Sequence, residues 1–502
     1  MKQLLVLGAG KSSTVLIEYL LRIAGEENWH VHVADVDEGL AKMKTGSHPA
    51  ATPHRIDPAD DTLRDALIRQ SDLVISLLPP PLHNSTARKC LEAGKHFLNA
   101  SYLTEEMQSM HEDVRTKGLT FLCEMGLDPG IDHMSAMRII DGIRNEGGKI
   151  TSFRSHCGGL VAPESDDNPW HYKFSWNPRN VVMAGKEGAH YREDGNAVHV
   201  GYDNLFDPAR IVGIPGQGPF AWYPNRDSLS YLPKYALEDI PTFVRTTLRH
   251  PDFCFGWRNL VQLKLTDDTV IYDTDGMSLS AFFQIHFDRF GFSEWLQNTV
   301  SDSLNHTRSH LDDLINLLEA DSVRPQEDRL NDDIMLVSGK GDLHDLSITR
   351  TTQDAASGIA SRMHEAKLAL TQLFFLGLDS GETIGLGKRS AADILQWILE
   401  KRLALRSTDK DMIIMLHEIG YELAGHPRQL KSTLVLKGED SSHTAMARTV
   451  GMPLGIAARL ILNGEMRIPG VHIPVSKDIY SKVLPELERE GIVFREQEEP
   501  VI

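Results

Sequence analysis

Short apolar runs alternate with helical spacing along the first part of the chain. Gln3 to Leu7 is a strand-length, largely apolar run, followed by Gly8-Ala-Gly-Lys-Ser-Ser13 and then by Val15, Leu16, Tyr19, Leu20 and Ile23, which recur on one helix face. Trp29 to Ala34 repeats the strand pattern and ends in Asp35, and Thr62 to Arg69 repeats the helical one. Asp72 to Leu78 is a strand that Pro79-Pro-Pro81 stops, Thr86 to Ala93 a helix, His96 to Ala100 a strand, and Leu119 to Cys123 a buried strand. Strands alternating with helices predict an α/β fold, a Rossmann-type doubly wound parallel sheet whose ligands lie beyond the strand carboxyl ends. Leu78, Ser101 and Tyr102 fall near that rim.

The last of these strands runs into Glu124-Met-Gly-Leu-Asp-Pro-Gly-Ile-Asp-His133 and then Met134, Met137, Ile140 and Ile143 at helical spacing. A strand gives way to a helix there. Pro129 suits the first helical turn, Gly126 and Gly130 permit close backbone approach, and Asp128 is placed either to cap the helix or to face a ligand. Beyond Lys149 the pattern changes to strands and tight turns: Ile150 to His156 reads as a strand that turns at Cys157-Gly-Gly. Ser280 to Leu318, Ile359 to Phe375 and Ala391 to Ala404 read as helices, separated by charged, irregular stretches at 321–333 and 379–389. Asp411 to Leu416 and Leu430 to Leu436 read as strands, and Thr444 to Leu462 as a long apolar helix. The expected division is a nucleotide-binding domain at 1–128 and 441–490, a mixed α+β substrate domain at 129–285 and 410–440, and a small helical insertion domain at 286–409.

The glycine turn carries the first chemistry. A P-loop requires glycine where Leu5 stands, inside the strand, so that reading is rejected. The dinucleotide fingerprint finds Gly8 and Gly10, with small Ser13 in place of the third glycine. Asp35, at the end of the second strand, is suited to ribose hydroxyls and repels a 2′-phosphate, so NAD is expected over NADP. The cofactor-binding set is Gly8, Gly10, Lys11, Ser12, Ser13, Asp35 and Leu78, completed by Leu127, Asp128, Pro129 and Asn177.

Totals narrow the field further. With 502 residues and a formal charge of −18, the chain is too long for one ordinary core and repels nucleic acid and anionic membranes. Cys90, Cys123, Cys157 and Cys254 make no CxxC pair, which points away from zinc and disulfides and toward a reduced cytoplasm. No signal region opens the sequence, and no apolar run reads as a membrane span. His133, His156 and His171 match no metal-ligand spacing, so no metal is expected.

Several ordered motifs together resemble the saccharopine dehydrogenase (L-glutamate-forming) family. They are Gly126-Leu-Asp-Pro-Gly-Ile-Asp-His-Met134, Cys157-Gly-Gly-Leu-Val-Ala-Pro-Glu164, Asn168 to Arg179, Tyr223-Pro-Asn-Arg-Asp-Ser228, Thr246-Thr-Leu-Arg249 and Ser442 to Pro453. Val161, His171, Asn177 and Asn180 depart from the family's usual residues. The resemblance implies a substrate with three carboxylates, held by Arg226 and Arg249 with Ser101, Tyr102, Asp128 and Thr247. It implies a proton-transfer or positioning role for Tyr102 and Cys157, with Asp128 orienting substrate or stabilising iminium charge. No nucleic-acid or membrane partner is implied, and a homodimer is compatible with it. Two alternatives stand beside it. A dehydrogenase of another carboxylated secondary amine, such as carboxynorspermidine, would lack the two arginine anchors, and a regulatory nucleotide-binding protein would bind cofactor without saccharopine.

Overall fold

The computed structural model describes residues 1–57, 61–292, 333–337, 343–347 and 364–500. The chain divides into two compact units, Met1–Cys254 with Leu403–Ile502, and Phe255–Arg402.

In the first unit, β1 (Lys2–Leu7), β2 (Trp29–Asp35), β3 (Ala51–Arg55), β4 (Leu73–Ser76), β5 (His96–Asn99) and β6 (Thr120–Leu122) form a parallel sheet with a late strand, Gly470–His472. The order is Gly470–His472, β6, β5, β4, β1, β2, β3. Leu4 to Leu7 are fully buried, as a strand covered on both faces requires. Because β2 and β4 flank β1 on opposite sides, chain direction reverses at the end of β1, and the glycine turn lies at this switch point. The helix α1 (Thr14–Ala24) follows and buries Leu16, Tyr19 and Leu20, three of the residues its spacing singled out. The five expected strands are present, and two more were missed. Strand β3 is an edge strand, half-buried and interrupted by Pro53, and Gly470–His472 has three residues, too few for a pattern.

The sheet's other companion is mixed. Its central strand β7 (Lys149–Val161) pairs in parallel with β12 (Thr242–Arg249) and antiparallel with Asp411–Leu423, which hairpins into His426–Lys437. The expected turn at Cys157-Gly158-Gly159 is instead continuous strand. A Cβ on Gly158 would meet Leu248 at 2.7 Å, so this glycine serves the approach of β12 to β7. The helix Ala445–Leu462 packs on α1, where a Cβ on Gly451 would meet Leu16 at 2.9 Å and one on Gly455 would meet Tyr19 at 2.5 Å. By length and composition this helix passes for a membrane span, contrary to the expectation of none, but it is mostly buried within the protein.

In the second unit, Ile271–Asp273 pairs with Lys388–Ser390, and Asp333–Val337 with Leu343–Ser347. Helices cover Leu279–Phe290, 364–375 and Ala391–Arg402. The first expected helix therefore stops at Phe290, where Gly291 adopts φ +71° and caps it. Residues 293–318 of that expected helix, and most of the irregular stretch at 321–333, lie outside the described residues.

Candidate active site

Gly8 takes φ +104°, and a Cβ there would lie 2.8 Å from the Leu77 carbonyl oxygen, so only glycine lets the turn pass the end of β4. Lys11 to Ser13 form a tight helical turn after Gly10, and the Ser13 hydroxyl donates to the Gly10 carbonyl at 2.9 Å. Lys44, on the helix α2 (Glu38–Thr45), was not foreseen. Its ammonium donates to Gly10 O at 2.5 Å, Ser13 Oγ at 3.1 Å and Thr14 Oγ1 at 2.8 Å, and burial pulls its pKa down to about 8. A glycine-lined strand end, a helix start and a lodged cation fit the phosphates of a dinucleotide. Asp35 accepts from the Ala9 amide at 2.6 Å and the Asp37 amide at 2.9 Å, so both its oxygens are engaged by backbone.

The joint after β6 differs from expectation in detail. The Asp128–Pro129 bond is cis, and the helix α7 (Ile131–Asn145) starts after Gly130, beyond Pro129. Gly130 takes φ +146° and lies so close to Gly126 that a Cβ would sit 2.1 Å from its carbonyl oxygen. The carboxylate accepting from the Gly130 amide, at 2.6 Å, belongs to Asp132. Asp128 turns instead to Arg245, whose Nη2 donates to Asp128 Oδ1 at 2.5 Å and to Asp132 Oδ2 at 2.8 Å. Arg245 also lies over the Tyr231 ring at 4.4 Å.

Behind this triad the buried Glu124 accepts from the Leu103 amide at 3.0 Å and Tyr231 at 3.0 Å and pairs with His133 at 2.8 Å; His133 reaches Tyr235 at 2.6 Å. A continuous buried network thus joins the loop of Tyr102 and Leu103 to the start of α7. Burial pushes Asp128 up to about 6 against the pull of Arg245, whereas Asp132, also buried, is held below its usual value by His133 and Arg245.

The expected substrate groups are drawn to the same region, but not all to one point. Arg226, exposed and at φ +51°, lies over the Tyr102 ring at 5.0 Å, and the Tyr102 hydroxyl accepts from Asn225 at 3.5 Å. Burial, then the charge of Asp128, raises the Tyr102 pKa. Ser101 pairs with His83 Nε2 at 2.9 Å, and His83 Nδ1 with Ser76 at 2.9 Å; burial lowers that imidazole to about 4, keeping it neutral at physiological pH. Cys157 lies across from Thr247 in the β7–β12 register, and burial followed by Asp128 and Asp132 raises its thiol well above the usual range. It is therefore a thiol and not a thiolate at neutral pH. His156, its neighbour, faces Thr246 at 2.7 Å and Glu418 at 3.2 Å instead of the sulfur. Asn177 caps a short helix, accepting from the Arg179 amide at 2.9 Å.

Arg245, Thr247 and Arg249 occupy alternate positions of β12 and so share one face. Arg249 is 3% exposed and has no carboxylate partner among the described residues. It donates to Leu248 O at 2.8 Å and Gly159 O at 3.4 Å, stands over Tyr172 at 5.1 Å and Phe253 at 5.4 Å, and leaves Nε without a partner. A buried guanidinium held by ring faces and carbonyls has its fork available to a carboxylate.

A glycine turn at a sheet reversal, beside a mixed sheet that carries buried carboxylates and arginines, defines a Rossmann-type dinucleotide-dependent oxidoreductase. Residues 4–122 match the saccharopine dehydrogenase NADP binding domain and residues 126–492 the saccharopine dehydrogenase C-terminal domain. The chain belongs to the saccharopine dehydrogenase family.

It is 29% identical to saccharopine dehydrogenase [NADP(+), L-glutamate-forming] of Saccharomyces cerevisiae over 99% of both chains. It is 30% identical to alpha-aminoadipic semialdehyde synthase of Arabidopsis thaliana over 99% of this chain but 45% of that protein. The chain thus spans about half the length of the semialdehyde synthases it matches. The apo saccharopine dehydrogenase (L-Glu forming) structure from Saccharomyces cerevisiae superposes with a TM-score of 0.76 at 27% identity, covering 99% of this chain and 100% of that one.

These matches overturn the expectation of NAD over NADP. The matched nucleotide domain is an NADP binding domain, and the fungal relatives carry NADP(+) in their names. Asp35 accepts from the Ala9 and Asp37 amides with both its oxygens, so the backbone of the neighbouring turns engages it whichever cofactor is bound.

Proposed function

We propose that the chain is an NADP-dependent saccharopine dehydrogenase. It oxidises saccharopine to L-glutamate and L-2-aminoadipate 6-semialdehyde, or runs the reverse condensation, in lysine metabolism. The observation that carries the reading is Arg249, a buried cation with no carboxylate partner among the described residues, on the strand face it shares with Thr247 and Arg245.

Bound NADP supplies the hydride acceptor. Arg249 binds one substrate carboxylate, and the exposed Arg226, beside Tyr102, meets another. Thr247 and Ser101 add hydroxyl contacts, with Ser101 oriented by neutral His83. Asp128, at about 6, is mostly ionised at neutral pH and is close enough to the working pH to accept the proton that the substrate ammonium must lose. Asp128 passes that proton on to solvent, and the carboxylate so restored offsets the iminium charge left when hydride departs. Tyr102 and Cys157, both with raised pKa values, stay protonated and serve as hydrogen-bond donors or as the acid that protonates the leaving nitrogen. Water adds to the iminium carbon, and cleavage releases the amine of glutamate.

The four cysteines are free and buried, which suits a reducing compartment such as the cytoplasm. The reading is tested by following NADPH absorbance after saccharopine is added to enzyme and NADP. Turnover that falls at least ~100-fold in kcat/KM in Arg249→Ala, with NADPH binding intact, supports it. Absence of saccharopine turnover from protein that binds NADPH sinks it.

A further inference from the structure

A second cluster of titratable groups adjoins Arg249 and takes no part in the chemistry above. His171 Nδ1 donates to Asp166 at 2.6 Å, and its Nε2 faces Asp252 at 3.4 Å. Its ring stacks on His250 with centroids 3.9 Å apart. His171, His250 and Asp252 are each the chain neighbour of part of the Arg249 site. Tyr172 follows His171, His250 follows Arg249, and Phe253 follows Asp252. Asp166 lies in the loop after β7, whereas Asp252 lies in the first turn of the helix Pro251–Gln262, so the imidazole is a strut between loop and helix.

The strut is ionic. Its hydrogen bonds to Asp166 and Asp252 push His171 up to about 9, and His250, buried beside that cation, is pushed down. The titratable groups facing His171 are thus Asp166 from its own loop and His250 and Asp252 from the helix start. His171, His250 and Asp252 have the residue types of a metal site and bring their ligand atoms within 4.8 Å of one another. The nitrogens of His171 and Nδ1 of His250 are already engaged within the protein, however. Both nitrogens of His171 face carboxylates, and His250 Nδ1 accepts from the Asp252 amide at 3.3 Å.

We propose that His171 is a positioning residue for the substrate-carboxylate site, its bridge from Asp166 to Asp252 setting how Tyr172 and Phe253 hold Arg249. The inference rests on Arg249 being the substrate anchor proposed above. Among the described residues Arg249 is fixed by two carbonyl contacts and two ring faces, so the separation of those rings decides where its fork points. Loosening the strut weakens substrate binding and leaves the Arg245 triad, and hence the chemical step, in place.

The test is a comparison of KM and kcat for saccharopine from pH 7 to 10 in the wild type and in His171→Gln, His171→Lys and Asp166→Asn. The wild-type KM is expected to rise ~10-fold as pH passes about 9 and the imidazolium is lost. His171→Gln has the raised KM at every pH, with kcat within about twofold of wild type. His171→Lys keeps a cation, recovers most of the affinity and moves the rise to higher pH. Asp166→Asn leaves the imidazole in place and gives a smaller rise in KM, so the inference stays testable even where a His171 variant folds poorly. A wild-type KM in His171→Gln, or equal losses in kcat and KM with the alkaline rise retained, overturns the inference. No wild-type turnover at any pH overturns the substrate assignment instead, and is read before any variant.

Discussion

Replacing Arg245 by methionine removes a cation that holds two carboxylates in a space where little water reaches them. The guanidinium is 3% exposed, Asp128 11% and Asp132 1%, and the two contacts are 2.5 and 2.8 Å long. Opposite charges this close attract by ~4 kcal/mol or more per pair at an effective dielectric constant of about 20. Desolvation of the three ions offsets much of that sum while the triad is intact. Once the cation is gone the carboxylates keep their desolvation cost and lose its compensation, so Arg245→Met should destabilise the fold by ~3–5 kcal/mol at pH 7.5.

The loss should shrink as the solution is made acidic. Without Arg245 both carboxyls titrate higher in the folded state, so the penalty is fully present only while they are ionised and is relieved as pH falls through those raised values. Urea unfolding followed by tryptophan fluorescence at pH 7.5 and 5 measures both effects. In an Asp128→Asn, Asp132→Asn background the same Arg245→Met change should cost far less, because an apolar side chain then replaces an uncompensated cation. An equal cost in both backgrounds, or at both pH values, would refute the idea that these charges act as a coupled unit.

The Asp128 pKa of about 6 predicts that kcat/KM for saccharopine oxidation rises with pH through about 6 as the carboxyl ionises, and that Asp128→Asn abolishes this acid limb and lowers the rate ~100-fold or more. A retained limb in that variant would assign it elsewhere. Lys44 titrates near 8, so NADPH affinity, followed by its fluorescence, should weaken as pH rises through about 8 and the ammonium loses its charge. In Lys44→Met that dependence should disappear, with affinity at all pH values matching the wild type at high pH.

The nucleotide sheet was legible in the sequence because buried parallel strands are continuous apolar runs and the glycine turn has a fixed place after the first of them. The edges were not. A half-buried strand with a proline and a strand of three residues carry no periodicity to read. Glycine is ambiguous for a physical reason: Gly158 and Gly159 suggest a turn, yet they lie within β7, where a missing Cβ makes room for the neighbouring strand at Leu248 and for the Met446 side chain.

In the proposed site, Asp128 and Arg249 stand inside the family's motifs and Tyr102 at the rim of the nucleotide sheet, whereas Arg245 was passed over. A signal for it existed. It stands two residues before Thr247 and four before Arg249 in a β-strand, and therefore on their face. Asp132 and Glu124 were inside the quoted motif, but their roles depend on contacts with Arg245 and His133 that only the fold brings together. Asp35 shows the converse limit. Its place at the end of β2 is plain in the sequence, but one acidic residue there does not decide between NAD and NADP, and the backbone amides that engage it leave no trace in the sequence.

Saccharopine has two carbons flanking its amine nitrogen, and the central claim is that this chain oxidises the one belonging to the lysine-derived arm. The most direct measurement is mass-spectrometric identification of the products formed from saccharopine, NADP and enzyme, alongside the NADPH released. The account predicts one L-glutamate and one 2-aminoadipate 6-semialdehyde for each NADPH. Lysine and 2-oxoglutarate in their place, or NADPH released only with some other amine, would contradict it.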